Sequence, residues 1–558
     1  MYRKEFGRVF FSRISYSKLY CMRCKNFYLF QILSVFLALG VYGQPENLPE
    51  IKSSERIISY AIDGDESEWT ISPELSPDRL EIYCPEKAKT VLFTSGIDSI
   101  RFQIGDKDTF RFYVCYGKER ALTEVVGFKV IPDKIGDTEK LYYLSLFWSE
   151  AKYNFVNMDH TPFSWDSLYQ AYIPEVLKTQ NDYEYYRLMQ RFAASLSDGH
   201  TQVSDNGQFF VFTDYMKILL HDFNQRVYII SIRKGCEIDS TFLGAEILSI
   251  SGVPLEKYMN DSIFRYISAS TVQSRWMQGT YSLHSGFSTR PFDATVRKRD
   301  GSVANIHLLR NGEKTRTDED EYWGVTSNYS GKRVDLKMLD NDIAWLSINS
   351  FNESVIDQIA EQVSAINKSK GVIIDLRNNG GGSTEAAWYL QSLLSKEKYF
   401  LNFGWETRVN NGVRKANGNW MDEYKEYYLN QATEKVNPDT IFISDTINRI
   451  TVPAVILIGR YTFSAAEDFL INMYEVPGRP LFIGSETGGS TGSPLVIPMP
   501  GDGYGRLCTR RVCFPQSMKP FLNKGISPDI IIEQTLDDYL SGKDVVLEKA
   551  VQVLNSKK

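Results

Sequence analysis

The sequence predicts an α/β protein of several domains, and three observations support this fold class. The 558 residues include 43% hydrophobic and 13% aromatic residues, enough to form more than one large core. Residues 371–374 and 452–458 are short, almost wholly apolar runs, which are typical of strands covered on both faces. The hydrophobic period also changes along the chain, from strand-like to helical and back again.

The first two predicted domains differ in this period. Residues 51–133 contain short alternating segments, such as 99–104 and 110–116, which predict a small β-sandwich-like accessory domain. Residues 137–205 carry apolar side chains at spacings of three and four residues, which predict a helical cap. The expected helices of this cap are 138–153, 164–179 and 182–197.

Strand-like patterns return in the second half of the chain. Residues 206–336 form a predicted β region, in which residues 244–254 look like the strand–turn element of PDZ and related domains. PDZ domains bind peptide termini by adding a strand to a sheet edge, but the loop that binds the terminal carboxylate is not identifiable in this sequence. A peptide-binding and a non-binding PDZ-like region therefore both remain open. Residues 337–558 alternate strands with helices and end in a predicted amphipathic helix at 539–554.

A serine lies where one of the apolar strands gives way to a helix. Residues 459–461 interrupt the pattern after the strand, and a helix is predicted from Ala465 onwards. Ser464 would then lie beside backbone N–H groups that have no intrahelical partner, which suits a nucleophile. The competing interpretation is a capping box, with Ser464 as N-cap and Glu467 reaching back to it. This segment alone favours capping.

A second segment favours a catalytic role over a purely structural one. The other apolar strand runs into three successive glycines at 380–382. Consecutive glycines let the backbone approach a ligand closely and direct its amides at developing negative charge. A phosphate-binding loop is a weak alternative, because no Gly-Lys-Ser/Thr follows and the GxGxxG spacing is absent.

Together these segments resemble the S41 family of serine peptidases, which includes the C-terminal processing proteases and tricorn-like enzymes. Residues 375–382 match the family's oxyanion-loop motif, and residues 462–467 match its nucleophile motif. Residues 484–492 match the segment that follows, and residues 525–529 match the closing signature. Four motifs in the expected order form a specific signal, although each alone would be weak.

The resemblance implies roles for individual residues. The core would have a ClpP/crotonase-like α/β fold with Ser464 as the nucleophile. The N–H of Ala465 and that of Gly381 or Gly382 would form the oxyanion hole. Processing proteases of the family use a lysine as the base, but the best alignment places Glu486 at that position. Because no lysine lies nearby, a Ser–Lys dyad is not expected.

The tricorn-like branch of the family instead uses a histidine from an upstream helical region. His200 follows a predicted helix within Leu-Ser-Asp-Gly-His-Thr, which is similar to the histidine segment of that branch. Histidine also suits base chemistry near neutral pH, because its ordinary pKa is about 6.5. His200 is therefore the predicted general base. His160 is the reserve candidate, although a role in a turn fits it better.

The carboxylate of the predicted triad is not found at the position that the family motif implies. The glutamate that precedes the closing signature in tricorn-like enzymes is replaced here by Leu522. Glu486 is the natural substitute as the carboxylate that orients His200, since triads are recognised by geometry and not by chain order. Asp198 is close to His200 in the sequence, but we expect it to shape the turn.

The start of the chain predicts export. Residues 27–43 form one apolar run that follows basic residues, and Val41 and Gly43 suit the small-residue positions before a cleavage site. We therefore expect residues 1–43 to be a secretory signal peptide, of which 1–21 could be an upstream extension. An uncleaved membrane anchor is the alternative, and we expect no stable membrane insertion after cleavage.

Charge and composition exclude several function classes. Without residues 1–43 the chain has 56 Lys and Arg against 68 Asp and Glu, a net charge of −12, so nucleic acid is a poor partner. No HExxH motif or ligand-spaced cluster predicts a metal, and no cofactor is expected. The five remaining cysteines are an odd number at wide spacing, which argues against a disulfide framework, and we expect Cys508 and Cys513 to be unpaired.

Two functions from different classes follow. The first is a secreted or periplasmic serine endopeptidase that cuts extended or unfolded peptides through an acyl-enzyme on Ser464. The second is a catalytically silent relative that binds peptides or apolar ligands through the same fold. A crotonase-like acyl-CoA enzyme is a weaker third, since that class does not require a serine nucleophile with a histidine base. The sequence predicts neither the cleavage preference nor the oligomeric state.

Overall fold

The structure is a computed structural model. It describes residues 135–556, apart from 180, 288–290, 314, 318 and 325–330, together with the backbone of eight strands between residues 56 and 126. The predicted signal peptide lies outside the described residues. The chain divides into two compact units, and the larger one includes Val125–Lys558, so every segment of the candidate site belongs to a single unit.

The eight N-terminal strands form two four-stranded sheets. The order in one sheet is Ser99–Gln103, Glu66–Ile71, Arg56–Asp63 and Glu124–Val126. The order in the other is Lys89–Thr94, Arg79–Cys84, Arg111–Tyr116 and Glu119–Leu122. The strands predicted at 99–104 and 110–116 are confirmed, whereas their packing into a sandwich stays a prediction.

Three helices follow, close to the predicted positions. They are Asp137–Asn154, Trp165–Leu177 and Asp182–Ala194. The second and third begin at side-chain caps, because Ser164 accepts a hydrogen bond from the Ser167 N–H and Asn181 accepts one from the Glu184 N–H. Their apolar faces meet in an aromatic core, in which the Trp165 ring stacks on Phe192 with 4.3 Å between ring centroids.

The next region is an antiparallel sheet with accessory helices. The order of its five main strands is Ile218–Phe223, Arg226–Arg233, Glu246–Ile250, Phe292–Arg297 and Val303–Leu308. Two short strands pair with inner strands of this sheet: Val253–Pro254 with Glu246–Ile250, and Tyr322–Gly324 with Arg226–Arg233. The main helix is Val272–His284, and short turns are Leu255–Tyr258, Met259–Ile263 and Phe264–Tyr266. The predicted strand–turn element is a two-residue hairpin, since Ser251 and Gly252 both have positive φ, at 48° and 76°.

A six-stranded sheet forms the centre of the C-terminal half. Its order is Val334–Leu339, Ile343–Ile348, Gly371–Asp375, Ala454–Ile458, Leu481–Gly484 and Ile530–Ile531. The first pair is antiparallel and the remaining pairs are parallel. Both faces of the sheet are covered, and the inner strands are almost wholly apolar, as the sequence predicts.

Helices cover this sheet on both faces. Val355–Ile366, Thr384–Leu394 and Ala465–Tyr474 pack on one face. Val545–Ser556 packs on the other, where Val546, Ala550 and Leu554 contact the sheet. The predicted closing helix is therefore present, but it is divided into Leu536–Leu540 and Val545–Ser556 by Gly542, whose φ is 71°.

Smaller sheets surround this core. Two of them have two strands each: Thr213–Tyr215 pairs with Ser285–Phe287, and Tyr399–Leu401 pairs with Thr440–Phe442. A third has three strands, in the order Thr433–Val436, Gly404–Arg408 and Arg511–Cys513. A further triplet joins Pro494–Pro498, Tyr504–Cys508 and Gln202–Ser204. The short helices are Gly412–Asn417 and Lys425–Tyr428. The Gln202–Ser204 strand matters most for the site, because it ties the end of the helical region to the C-terminal half.

Candidate active site

Ser464 lies at a sharp turn between the buried strand Ala454–Ile458 and the helix Ala465–Tyr474. Its φ of 57° and ψ of −126° fall in a region that residues with a side chain rarely adopt. Its side chain makes no capping hydrogen bond, and Glu467 does not reach back to it. The capping-box interpretation is therefore wrong. A strained strand-to-helix turn that presents a serine hydroxyl is the arrangement of a nucleophile elbow.

His200 contacts the hydroxyl of this serine. Its Nε2 lies 3.0 Å from Ser464 Oγ, although the two residues are 264 positions apart. The imidazole is only 2% exposed, and its ring stacks on Phe463 with 4.7 Å between centroids and 6° between planes. The stacked ring fixes the plane of the imidazole. The structure thus brings together the predicted nucleophile and the predicted base.

A tight turn positions His200. Asp198 Oδ1 accepts hydrogen bonds from the His200 N–H at 2.9 Å and from the Thr201 hydroxyl at 2.9 Å. Thr201 Oγ1 in turn accepts one from the Cys508 N–H at 3.1 Å, which anchors the turn to the strand Tyr504–Cys508. Asp198 shapes the turn, as predicted. Cys508 and Cys513 are both unpaired, also as predicted.

The structure does not bring Glu486 to His200. Glu486 Oε1 accepts a hydrogen bond from the Gly525 N–H at 2.7 Å, so this carboxylate holds the closing segment. His200 Nδ1 instead lies 2.8 Å from the hydroxyl oxygen Oγ of Ser490. The expected place of the orienting carboxylate is therefore occupied by a hydroxyl. His160, the reserve base, is half-exposed and lies beside Asp159.

Glu467 is fully buried one helical turn after the nucleophile. Its Oε1 accepts hydrogen bonds from the Gly489 N–H at 2.7 Å and from the Thr487 hydroxyl, and its Oε2 accepts one from the Ser490 N–H at 2.9 Å. Burial raises the pKa of Glu467 to about 8, against the lowering effect of these three donors. Neither this role of Glu467 nor the contact of Ser490 with His200 is predicted from the sequence. Their only sequence signal was their place inside two matched motifs.

The glycine loop lies directly against the nucleophile. A Cβ atom added to Gly381 would be 2.6 Å from Ser464 Cβ and 2.8 Å from the Ala465 nitrogen. The Gly381 N–H already donates to Asn379 Oδ1 at 2.9 Å. The N–H groups of Gly382 and Ala465 have no hydrogen-bond partner in the described part of the chain, so both remain candidates for the predicted oxyanion hole.

We predict that Gly381→Ala lowers peptide hydrolysis by at least about 100-fold, because the new methyl group would displace the nucleophile or the oxyanion donors. The φ of Gly381 is +94°, so the substitution is also strained and should destabilise the fold by about 1–3 kcal/mol. Gly380→Ala is the matched control, since a Cβ there would meet nothing within 4 Å. Equal activity of the two variants, measured with a peptide substrate, would contradict this account of the loop.

Residues 342–532 match the model of peptidase family S41. The chain carries a peptidase family S41 domain. The match confirms the predicted S41 family for these residues, and the family is one of serine-type peptidases.

Two relatives of the S41 domain are processing proteases. The carboxy-terminal-processing protease of Bartonella bacilliformis is 26% identical over 215 residues, which is 38% of this chain and 43% of that protein. The carboxy-terminal processing protease CtpA of Bacillus subtilis is 28% identical over 156 residues, which is 27% of each chain. The chain thus spans less than half the length of these relatives in the matched regions.

Solved structures show a similar fold over a longer part of the chain. Mature CPAF aligns over 75% of this chain and 98% of its own, with a TM-score of 0.57 and 13% identity. Mature CPAF complexed with lactacystin aligns over the same shares with a TM-score of 0.55. At this identity the similarity shows the fold alone, and it confirms the predicted mixed α/β fold around the S41 domain.

The electrostatic surroundings keep His200 neutral. Burial, followed by the positive charges of Arg506 and Arg510, lowers the pKa of His200 to about 3. A general base must be unprotonated before it accepts the serine proton, so a lowered pKa moves the loss of activity to more acidic pH.

We predict that kcat/KM changes little between pH 7 and about pH 5. With a histidine of the ordinary pKa of about 6.5, kcat/KM would fall about 25-fold over that range, because only the neutral form is active. The check is a pH profile of kcat/KM with one peptide substrate, in buffers where the protein remains folded. Burial also raises the pKa of Asp198, which holds the His200 turn, to about 6. An acid limb with its midpoint near 6.5 that persists in Asp198→Asn would therefore contradict the buried environment of His200.

Proposed function

We propose that this protein is an exported serine endopeptidase that hydrolyses extended or unfolded peptides through an acyl-enzyme on Ser464. The observation that carries the proposal is the 3.0 Å contact between Ser464 Oγ and His200 Nε2 at a strained strand-to-helix turn. A binding protein would have no need to hold a serine in unfavourable backbone geometry against a buried imidazole. The strain is therefore best explained by catalysis.

The proposed reaction is acyl transfer with His200 as general base. Ser464 Oγ attacks the substrate carbonyl carbon while its proton moves to His200 Nε2. His200 then donates this proton to the leaving amine, and the C–N bond breaks. Water enters, His200 removes one of its protons, and attack on the acyl-enzyme releases the acid product and restores the Ser464 hydroxyl. Each proton that leaves Ser464 or water thus passes through one imidazole nitrogen.

Backbone amides would stabilise the tetrahedral intermediate. Ala465 is the first residue of the helix Ala465–Tyr474, so its N–H also lies at the positive end of the helix dipole. The Gly382 N–H would be the second donor, because the Gly381 N–H is bonded to Asn379. Removing one such donor typically costs about 100- to 1,000-fold in kcat.

The proposal includes a domain layout around this site. Residues 137–205 would be a helical cap that supplies His200, residues 206–336 a PDZ-like region, and residues 337–558 a ClpP/crotonase-like catalytic core. The antiparallel sheet and its hairpin at Ser251 and Gly252 support a PDZ-like region without deciding whether it binds peptide. The N-terminal strands would form the accessory sandwich.

Export is proposed from the predicted signal peptide. In the part of the chain that the structure describes, no helix has both the length and the apolar character needed to span a bilayer. The proposed secreted or periplasmic location therefore rests on the basic residues and the apolar run of residues 27–43. Peptides and unfolded proteins are the proposed substrates, and nucleic acid is not a proposed partner because the chain is acidic.

Digestion of an unfolded protein tests the proposed function against a silent, ligand-binding relative. An enzyme should convert a reduced and alkylated substrate protein into peptides with new termini, and the conversion should stop in Ser464→Ala. A silent relative should retain the substrate without cutting it, in wild type and variant alike. Mass spectrometry of the products distinguishes the two outcomes and also gives the cleavage preference.

A further inference from the structure

The imidazole of His200 contacts two hydroxyl groups, one at each ring nitrogen. Nε2 faces Ser464 Oγ at 3.0 Å and Nδ1 faces Ser490 Oγ at 2.8 Å. Nε2 must be unprotonated to accept the Ser464 proton, so Nδ1 must carry the hydrogen of the neutral ring. Ser490 Oγ is then the acceptor of that N–H, and it selects the tautomer that can act as a base.

Ser490 is held by the same helix that carries the nucleophile. It is 4% exposed, its N–H donates to Glu467 Oε2 at 2.9 Å, and its carbonyl accepts the Ser464 N–H at 3.1 Å. Glu467 also binds the Gly489 N–H and the Thr487 hydroxyl. Three residues of the loop 487–490 therefore bind the buried Glu467 carboxylate, and these hydrogen bonds fix the position of the loop relative to Ser464.

We propose that Ser490 is the positioning residue of this site, in the place where a triad has its carboxylate, with Glu467 holding the loop that carries it. The proposal rests on the peptidase function proposed above and names the group that completes it. Its chemistry differs from that of an Asp or Glu, because a neutral hydroxyl orients the imidazole without adding a negative charge beside it. The imidazolium formed during catalysis would therefore be less stabilised than in a Ser–His–Asp triad.

Three substitutions of Ser490 distinguish the effect of orienting the His200 imidazole from the effect of a negative charge beside it. Ser490→Ala removes the acceptor, Ser490→Thr keeps the hydroxyl, and Ser490→Asp supplies the carboxylate that the site lacks. Ser485→Ala is the matched control, since Ser485 lies in the same segment and, among the described residues, only its backbone N–H makes a hydrogen bond, to the Ile458 carbonyl. For each protein we would measure kcat and KM separately, the pH profile of kcat/KM, and the thermal unfolding midpoint.

We expect Ser490→Ala to lower kcat by about 10- to 100-fold while KM changes by less than about twofold, because orientation matters most when His200 becomes charged. Ser490→Thr should retain most of kcat. Ser490→Asp should move the acid limb of the pH profile to higher pH, because a nearby carboxylate favours the protonated imidazole. A structural role alone would lower the unfolding midpoint without this shift. Unchanged kcat and pH profile in folded Ser490→Ala and Ser490→Asp would overturn the proposal.

A second measurement does not depend on activity. In wild-type protein with ¹⁵N-labelled histidine, nuclear magnetic resonance should show His200 as the Nδ1–H tautomer, with the signal assigned by its loss in His200→Ala. A predominant Nε2–H tautomer would overturn the role of Ser490 even in an active enzyme. An inactive wild-type protein that nevertheless shows the Nδ1–H tautomer, lost in Ser490→Ala, would support the positioning role and contradict the peptidase function.

Discussion

Ser464→Ala should abolish peptide hydrolysis, with a fall in kcat of at least about 10⁴-fold. The proposed attacking atom is Ser464 Oγ, the hydroxyl that contacts His200 Nε2, and alanine has no atom that could replace it. Residual turnover would come only from water that attacks in the same oxyanion site. The measurement is kcat on one peptide substrate, with enzyme purified in parallel to exclude contaminating proteases.

The same substitution should leave the fold intact. The backbone at position 464 keeps its φ of 57° with either side chain, so the strain is unchanged. The only loss is the hydrogen bond to His200, and we expect the free energy of unfolding to change by less than about 1.5 kcal/mol. Inactivity together with a normal unfolding transition would assign the effect to chemistry. Wild-type hydrolysis by Ser464→Ala would exclude the proposed nucleophile.

His200→Ala should be nearly as severe, with a loss of about 10⁴-fold or more in kcat. Without the imidazole nothing removes the Ser464 proton, and an uncharged serine hydroxyl is a weak nucleophile at neutral pH. The two effects should also not add: the double variant Ser464→Ala, His200→Ala should be no less active than either single variant, since the residues act as one unit. The measurement is again kcat, with substrate held well above KM.

His160→Ala is the informative comparison for His200, because His160 was the other candidate base. It lies half-exposed in the short helix Met158–His160 and contacts a neighbouring carboxylate. We expect its loss to change kcat by less than about twofold. Loss of activity in His160→Ala with retention in His200→Ala would refute the assignment of the base.

Much of the fold could be predicted because its signals are local. The apolar run at 452–458 contains the observed strand Ala454–Ile458, and the three helices of the second region begin within a residue of their expected positions. The hairpin at Ser251 and Gly252 follows from turn chemistry. The sheet order and the division of the last helix depend on long-range packing, which a local pattern does not contain.

The site could be predicted only in part. Local pattern favoured capping for Ser464, and only the combination with the glycine loop and the family motifs favoured catalysis. The helix begins as expected, yet Glu467 faces the loop 487–490 instead of the N-cap. The sequence does not distinguish a Glu467 side chain that bonds to the N-cap from one that bonds to this loop, because either arrangement gives the buried carboxylate backbone N–H donors.

The hydrogen-bond partner of His200 Nδ1 could not be predicted from the sequence. Glu486 was the chemically natural choice, since carboxylates orient the histidine of most triads. Four residues later, Ser490 makes the contact, because Thr487, Gly489 and Ser490 all donate hydrogen bonds to the buried Glu467. Ser490 is 290 positions from His200, and a serine in a glycine-rich segment has no spacing rule that marks it.

Labelling with a fluorophosphonate probe tests the central claim most directly, because the probe reacts with a serine only when a base and an oxyanion site activate it. The purified protein, Ser464→Ala and His200→Ala would be treated in parallel at neutral and mildly alkaline pH, and peptide mapping would locate the modified residue. The account predicts modification of wild type at Ser464, no modification in Ser464→Ala and strongly reduced modification in His200→Ala. Well-folded wild-type protein that is not modified, or is modified at a different serine, would contradict it.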